Sequence, residues 1–103
     1  MQRKHVKRDE VWLCDLSGNI GSEQNGVRPC LVIKTPRKSE RTCIILPASR
    51  TIRYSSVKAG DYVFVLHQMR VVDASRFKRF IERLTKEQTD SAVCALQKYI
   101  DQK

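Results

Sequence analysis

The stretch GSEQNGVRPCLVI, residues 21–33, joins a glycine-containing loop to a run of apolar residues. The apolar run at residues 29–33 is short, rich in β-branched side chains and preceded by turn formers, which predicts a β-strand. Pro29 favours an extended backbone at the residue before it, so we expect Arg28 at the start of that strand. An arginine held there can present its planar guanidinium to a phosphate. Pairing with Glu23, or simple solvation, is the alternative.

Three further apolar runs predict strands, at residues 11–16, 42–46 and 62–66, the last of which can continue to residue 72. Several of these runs are apolar on both faces, which is typical of strands in a small closed barrel. The connections at residues 17–27, 35–41 and 47–60 are long and polar. Long loops on a rigid barrel commonly carry binding and catalysis.

The last third of the chain changes to helical spacing, with Asp73 or Ser75 as a possible N-cap. The apolar residues that first follow this spacing are Phe77, Phe80, Ile81 and Leu84. Residues 85–88, Thr-Lys-Glu-Gln, then fit a capping box. The apolar face that follows is formed by Ala92, Val93, Leu96, Tyr99 and Ile100. Strands followed by helices predict a β-rich α+β fold.

The chain has 103 residues and a formal net charge of +9. This length predicts a single domain over residues 1–103, with residues 1–8 as a mobile basic tail. The charge favours a phosphate-rich partner, then an anionic membrane surface, although a solvated basic surface without a partner remains open. No apolar run reaches the roughly 18 residues of a membrane span, and no apolar segment follows the basic N-terminus. We therefore expect a cytoplasmic protein.

The cysteines lie in apolar runs and show neither a C-x-x-C pair nor zinc-like spacing to a histidine. They are Cys14, Cys30, Cys43 and Cys94. We expect buried, unoxidised thiols rather than metal ligands or disulfides. The two histidines, His5 and His67, lie in the tail and in an apolar run, which argues against a two-histidine nuclease. No close pair of carboxylates stands in the glycine-containing loop, which argues against a metal-dependent nuclease and leaves no cofactor expected.

Two motifs resemble the conserved blocks of the MazF/PemK family of toxin ribonucleases. The first is Val11-Trp12-Leu13-x-Asp15-Leu16 followed by Gly21-Ser22-Glu23-Gln24-x-Gly26-x-Arg28-Pro29-x-Leu31-Val32-Ile33, and the second is Gln68-x-Arg70-x-Val72-Asp73. The likeness runs from about Arg8 to Ile100. It implies a compact SH3-like β-barrel with C-terminal helices, usually a homodimer. It also implies metal-independent cleavage of single-stranded mRNA at short sequences, and neutralisation by a cognate antitoxin.

The resemblance also implies site residues. In this family the arginine of the Arg-Pro pair is catalytic, here Arg28, and its partner is a hydroxyl residue after the third strand, here Ser49. Arginine does not readily lose its proton at neutral pH, so we expect Arg28 to stabilise charge on the phosphorus and Ser49 to position the phosphate or the 2′-hydroxyl. The residues expected to bind RNA are Gly21, Ser22, Glu23, Gln24, Lys34, Arg37, Lys38, Arg50, Arg53, Tyr54, Gln68 and Arg70.

The sequence departs from the family pattern at three places. Ser49 replaces the usual threonine, and so loses the methyl group that restrains χ1. Asp9-Glu10 stands where Gly-Asp is common, and His67 where an acid is common. Other functions therefore stay open: a non-catalytic DNA gyrase poison like the relatives of CcdB, a plain nucleic-acid-binding module, or an inactive homologue. Trp12 is expected in the core rather than in a stacking role.

Overall fold

A computed structural model describes residues 5–17, 26–35, 41–50 and 55–102. Within these ranges the strands are β1 (Glu10–Asp15), β2 (Val27–Lys34), β3 (Thr42–Ser49), β4 (Ser56–Ala59), β5 (Tyr62–Val65), β6 (Arg70–Asp73) and β7 (Phe77–Arg83). They are followed by one helix, α1 (Lys86–Asp101), and 3-10 turns lie at Leu66–Gln68 and Ala74–Arg76. The predicted β-rich α+β class is confirmed, with a single C-terminal helix in place of the predicted helices.

The strands pair antiparallel in the order β4-β5-β3-β2-β1-β7, and β6 lies beside β3. Strand β3 has two partners on one side, because residues 42–45 pair with β6 while residues 48 and 49 pair with β5. Pro47, which has no amide hydrogen to donate, lies between these two halves. The described pairings form an open path, and the hydroxyl of Tyr62 in β5 donates to Glu82 in β7. A side-chain hydrogen bond thus links β5 to the far end of the path.

The central strands are apolar on both faces and separate two hydrophobic clusters, as the unbroken apolar runs predicted. The helix-side cluster lies under α1 and comprises Val11, Leu31, Ile33, Leu46, Ala48, Ala59, Phe64, Leu66, Leu84, Ala92 and Leu96. The thiol-side cluster lies on the other face and comprises Cys14, Leu16, Cys30, Val32, Cys43, Ile45, Val72 and Phe77. Three of the four predicted buried thiols therefore share one cluster, and all four cysteines are free of disulfides.

The helix predicted around residues 77–84 is wrong, because these residues form β7 beside β1. The β1–β7 ladder has two register shifts, so that Trp12 faces Phe80 and Cys14 faces Phe77. A bulge between Phe77 and Phe80 lets two residues three apart share one face, which imitates helical spacing in the sequence. Asp73 does act as a cap, but of the 3-10 turn, where it accepts from the amide of Ser75 at 2.9 Å.

Two other boundaries differ from the prediction. The region predicted as a loop at residues 47–60 contains the end of β3 and all of β4, and the fourth apolar run is broken by the 3-10 turn between β5 and β6. Gly60 lies in the turn between Ala59 and Tyr62 at a φ of +60°. A side chain there would meet Leu84 at 3.0 Å as well as strain the backbone, so glycine is required.

Helix α1 begins as predicted. The amide of Gln88 donates to the Thr85 hydroxyl at 3.1 Å, and the amide of Thr85 donates to the Gln88 side chain at 2.8 Å. Ala92 and Leu96 are buried, but Ile100 is 60% exposed, so its predicted place on the buried face is wrong. In the described part of the chain, no helix is long and apolar enough to cross a membrane.

Cys94 is the thiol for which predicted burial is wrong, since it is exposed. It lies two residues from both Ala92 and Leu96, which puts it about 200° around the helix from either.

The N-terminal segment meets the sheet from residue 6 onward. Val6 packs against the thiol-side cluster, and the Arg8 guanidinium donates to the Ile33 carbonyl at 3.2 Å and pairs with Asp90 at 3.0 Å. Asp9 has a φ of +80°. Its amide donates a hydrogen bond to the Val32 carbonyl in β2, and its carbonyl accepts one from the Leu84 amide. The predicted basic tail lies partly outside the described residues, which begin at His5.

Candidate functional site

Arg28 is the second residue of β2 and is partly exposed at the edge of the thiol-side cluster. Its neighbour across the sheet is Cys14 in β1. The thiol of Cys30 donates to the backbone carbonyl of Arg28 at 3.5 Å. Residue 28 is therefore held by a ladder pairing on one side and by a buried side chain two residues further along its own strand.

The register between β2 and β3 relates Arg28 to Ser49. Cys30 faces Pro47, and the pairing proceeds without interruption to residue 32. Continuing the register two residues beyond Cys30 brings Arg28 opposite Ser49, the last residue of β3. Side chains two apart on a strand share a face, so Arg28, Cys30 and Ser49 belong to the same face of the sheet. Ser49, expected to follow the third strand, closes that strand and also pairs with Val63 in β5.

A second guanidinium approaches from β6. Arg70 faces Ile45, a member of the thiol-side cluster, so it shares this face with Arg28. Its side chain is held by Gln68, whose side-chain oxygen accepts from Arg70 Nη2 at 2.9 Å and whose carbonyl accepts from Nε at 3.5 Å. The positive charges of Arg28 and Arg70 both act to lower the pKa of Cys30. The two arginines therefore lie on the same face as this buried thiol, Arg28 on β2 and Arg70 on β6.

The buried thiols on the same face as these arginines are uncharged. A hydrogen bond between the Cys30 and Cys14 side chains, together with burial, raises the pKa of Cys30 well above its ordinary value despite the two arginines. Burial raises the pKa of Cys43 as well. Buried thiols of raised pKa stay protonated and carry no negative charge. An anion that reaches this face meets positive charge with a neutral, apolar layer behind it. That arrangement suits a phosphate.

Sequence reasoning missed a basic edge near this site, because it assigned these residues to a helix. Arg76 donates to the carbonyls of Asp15 and Ser17 at 3.3 and 3.1 Å. Hydrogen bonds from Ser17 are the main cause that holds the pKa of Asp15 low, and the charges of Lys78 and Arg76 add to it. Arg79 is exposed one residue further along β7. The signal that could have found this edge is the R-F-K-R-F run, whose charges alternate with aromatics.

Residues 7–100 match the family described as PemK-like, MazF-like toxin of type II toxin-antitoxin system. The chain belongs to this toxin family. Endoribonuclease EndoA of Bacillus subtilis (strain 168) is 33% identical over 106 residues, which cover 89% of the chain and 91% of EndoA.

Solved structures agree with this fold. MazF from Deinococcus radiodurans has a TM-score of 0.78 at 20% identity, with 96% of this chain and all of that chain covered. An endoribonuclease from a mycobacterial species, solved in complex with its cognate antitoxin, has a TM-score of 0.75 at 14% identity over 93% of this chain and 95% of that chain. The PemK/MazF-type fold predicted from the motifs is thus confirmed.

The predicted RNA-binding residues of this PemK/MazF toxin divide into three groups. Gln68 and Arg70 join Arg28 on one face, and Arg50 is exposed directly after Ser49. Lys34 is exposed six residues along β2 from Arg28, about 20 Å away at the other end of the strand, so the structure does not bring it to the site. The remainder lie outside the described residues: Gly21, Ser22, Glu23, Gln24, Arg37, Lys38, Arg53 and Tyr54.

The toxin's Glu10, one of the departures from the family pattern, is a structural acid. It accepts from the Lys7 amide at 2.8 Å, from the Trp12 indole at 3.0 Å and from Arg83 at 3.0 Å. Burial raises the pKa of Glu10, but these hydrogen bonds and the charge of Arg83 together outweigh burial and lower it. Glu10 therefore fixes β1 to β7 and orients Trp12.

The remaining predictions for this toxin concern His67 and possible metal ligands. His67 lies exposed in the 3-10 turn before β6 rather than in a strand, so the predicted strand there is wrong. Among the residues that the structure describes, no three His, Cys, Asp or Glu side chains are grouped so that they could hold a metal ion.

Proposed function

We propose that this PemK/MazF toxin is a sequence-specific, metal-independent endoribonuclease that cleaves single-stranded mRNA, with Arg28 and Ser49 as its catalytic pair. What supports the proposal is the β2–β3 register: when it is continued two residues beyond the Cys30–Pro47 pair, Arg28 and Ser49 share one face at the ends of neighbouring strands. The 33% identity to a protein named endoribonuclease supports the reaction class.

RNA supplies its own nucleophile for this reaction. The 2′-hydroxyl gives its proton to solvent as its oxygen attacks the adjacent phosphorus, and the bond from phosphorus to the 5′-oxygen breaks as that oxygen takes a proton from solvent. The products are a 2′,3′-cyclic phosphate and a 5′-hydroxyl. Negative charge builds on the non-bridging oxygens as the new bond forms. Arg28 stabilises that charge with its guanidinium, and Arg70, on the same face of the sheet, adds a second positive charge. Ser49 orients the phosphate or the 2′-hydroxyl through its own hydroxyl group.

The test is digestion of a long, unstructured RNA by the purified protein in excess EDTA, followed by mapping of the new 5′ ends. Arg28→Ala should cleave about 100-fold more slowly or worse, because one preorganised donor to the transition state is lost. Ser49→Thr should remain active, since it keeps the hydroxyl. Lys98→Ala, which removes one positive charge from the exposed side of α1, is the control and should cleave like the wild type.

Each outcome bears on a different part of the proposal. Near-normal cleavage by Arg28→Ala would remove the catalytic assignment, and an inactive Ser49→Thr would mean that the partner residue is elsewhere. Activity that EDTA abolishes and Mg²⁺ restores would refute metal independence. Wild-type protein that leaves RNA intact would favour a gyrase poison or an inactive RNA-binding homologue.

The proposal extends to partners and location. A cognate antitoxin is the proposed inhibitor, by analogy with the solved mycobacterial complex. The protein is proposed to act in the cytoplasm, where mRNA is available, and as a homodimer whose mass in sedimentation equilibrium is twice that of the chain. A monomeric mass at micromolar concentration would refute the dimer.

A further inference from the structure

We propose that Trp12 and Phe80 form a base-stacking step beside the Arg28/Ser49 site, on which one base of the single-stranded RNA rests. The inference deepens the proposed function, and rests on it, by assigning residues that hold a base rather than a phosphate. Neither residue belongs to the catalytic pair.

The aromatic step is exposed although it lies against a core. Phe80 is 46% exposed on β7, and its ring meets the Trp12 indole edge-to-face with centroids 5.8 Å apart. Trp12 in turn meets the buried ring of Phe77 edge-to-face at 5.7 Å and donates its indole N–H to Glu10. The Trp12 ring is therefore fixed from two sides, and Phe80 rests on it as the outermost ring. A rigid aromatic surface loses little conformational entropy when a base stacks on it.

The step is continuous with the proposed catalytic face. Arg28, Cys14 and Phe77 form one row across β2, β1 and β7, and Cys30, Trp12 and Phe80 form the next row. All six side chains belong to the thiol-side face. Since neighbouring strands are about 4.8 Å apart, Phe80 is roughly 10 Å across the sheet from the strand that bears Arg28. A base attached to a nucleotide near a phosphate at Arg28 can reach that distance.

The charges around the step favour a nucleic acid as its occupant. Lys78 is exposed on β7 two residues before Phe80, and Arg76 precedes it, whereas Arg79 pairs with Leu13 and faces the other side of the sheet. These cations complement the phosphate backbone of a nucleic acid. Single-stranded RNA is held by this combination, in which cations follow the backbone and aromatic rings stack on the bases.

The experiment measures binding separately from cleavage. The probe is a fluorescein-labelled 10-mer RNA of mixed sequence with 2′-O-methyl groups throughout, which removes the nucleophile. Phe80→Ala should weaken binding about tenfold, and Phe80→Tyr should bind within about twofold of the wild type. Ile100→Ala is the matched control, because Ile100 is a similarly exposed apolar residue on α1. It should leave binding unchanged.

Salt dependence separates stacking from charge. Phe80→Ala should lower affinity equally at every salt concentration, whereas Lys78→Ala should reduce the slope of log K against log salt by about 1. A set of 10-mers with one abasic position each should contain a position at which wild type and Phe80→Ala bind equally. A stacking step predicts that convergence, because the base that Phe80 holds is then missing.

Three results would overturn the inference: unchanged affinity of Phe80→Ala, an equal loss in Ile100→Ala, or a change in oligomeric mass that accompanies the affinity loss of Phe80→Ala. The last would identify the step as a subunit contact. Failure of the proposed function looks different, because wild-type protein would then leave unmodified RNA uncut while the binding data still decide the role of Phe80.

Discussion

The two faces of the central sheet share β1, β2 and β3 but are built from different side chains. The helix-side cluster is filled by large aliphatic and aromatic groups, such as Leu31, Leu46 and Phe64, and is covered by α1. The thiol-side cluster contains three cysteines, and its rim carries Arg28 and Arg70. The first face has the composition of a stabilising core. The second combines apolar side chains with three uncharged thiols and has two guanidinium groups on the same face.

The contrast leads us to propose that stability and chemistry depend on opposite faces of the same strands. Because side chains alternate along a strand, neighbouring residues of β2 point to opposite faces of the sheet. Leu31 contributes to the core under the helix, while Cys30 contacts the backbone of Arg28. Substitutions on the two faces should therefore separate unfolding free energy from catalytic rate.

The largest expected effect is on the helix side. Leu46→Ala removes a fully buried side chain and should lower the free energy of unfolding by about 2–5 kcal/mol, measured by urea denaturation. Cleavage per folded molecule should remain close to that of the wild type, since Leu46 faces away from Arg28. A large loss of rate at unchanged stability would break the division between the faces.

Glu10→Gln tests the buried acid that orients Trp12. Its charge-assisted hydrogen bonds weaken, so the free energy of unfolding at pH 7 should fall by about 2 kcal/mol. The folded-state pKa lies below the ordinary 4.5, so this contribution is present above pH 4.5 and is lost as pH falls through the folded-state pKa. Urea denaturation from pH 7 to pH 3 should show the two proteins converging at acid pH. A constant difference across that range would assign the effect to packing.

Cys30→Ala is the thiol-side counterpart of the leucine variant. It removes the donor to the Arg28 carbonyl, and we expect cleavage to slow about tenfold through displacement of that residue. The control is Cys43→Ala, which deletes a buried thiol of the same cluster that pairs with Val72 instead. Its stability should fall by a similar amount while its rate stays near normal. Equal rate losses in both variants would mean that general loosening of the cluster is responsible.

Thr89→Val, unlike the preceding variants, should stabilise the protein without changing its cleavage rate. The Thr89 hydroxyl is buried in α1 and has no hydrogen-bond partner within the described residues. Replacing it with an apolar group of similar shape should raise the free energy of unfolding by about 1 kcal/mol. The thermal midpoint should rise accordingly and the cleavage rate should not change. A lower midpoint would show that the hydroxyl is satisfied in solution.

The smallest effect is expected at Asp9, whose backbone has a φ of +80°. Asp9→Gly should raise the free energy of unfolding by about 0.5 kcal/mol, because glycine adopts this conformation without a steric cost. Asp9→Ala should lower it, since both variants lose the carboxylate that pairs with Arg8 but alanine tolerates a positive φ less well than either aspartate or glycine. The same sign for both variants would show that the side chain, rather than the backbone, decides.

Much of the fold could be predicted from local pattern. The apolar runs located β1, β2, β3 and β5, and the Thr85–Gln88 capping box located the start of α1, because each signal depends on residues close in sequence. Strand β7 was missed because bulges place Phe77 and Phe80 on one face and so reproduce helical spacing. A bulge depends on pairing with the partner strand, so it could not be predicted from the sequence of β7 alone.

Less of the candidate site than of the fold could be predicted from the sequence. The motif predicted Arg28 and Ser49 as site residues, but their place on one face follows from the pairing of β2 with β3. The sequence predicted that Arg70 binds RNA but not which residue holds its side chain, whereas the structure shows it bonded to Gln68 and on the same face as Arg28. The link among these residues depends on strand neighbours that are far apart in the chain.

The two bulges in β7 have a consequence for solubility. Within the described residues β7 pairs only with β1, so its outer edge offers backbone groups that another chain could extend. Irregular register and the charges of Lys78 and Arg79 discourage such pairing. A variant that regularised this strand and replaced both cations with apolar residues would expose a flat edge prone to aggregation. The features that present Phe80 to solvent therefore also protect the protein from self-association through its outermost strand.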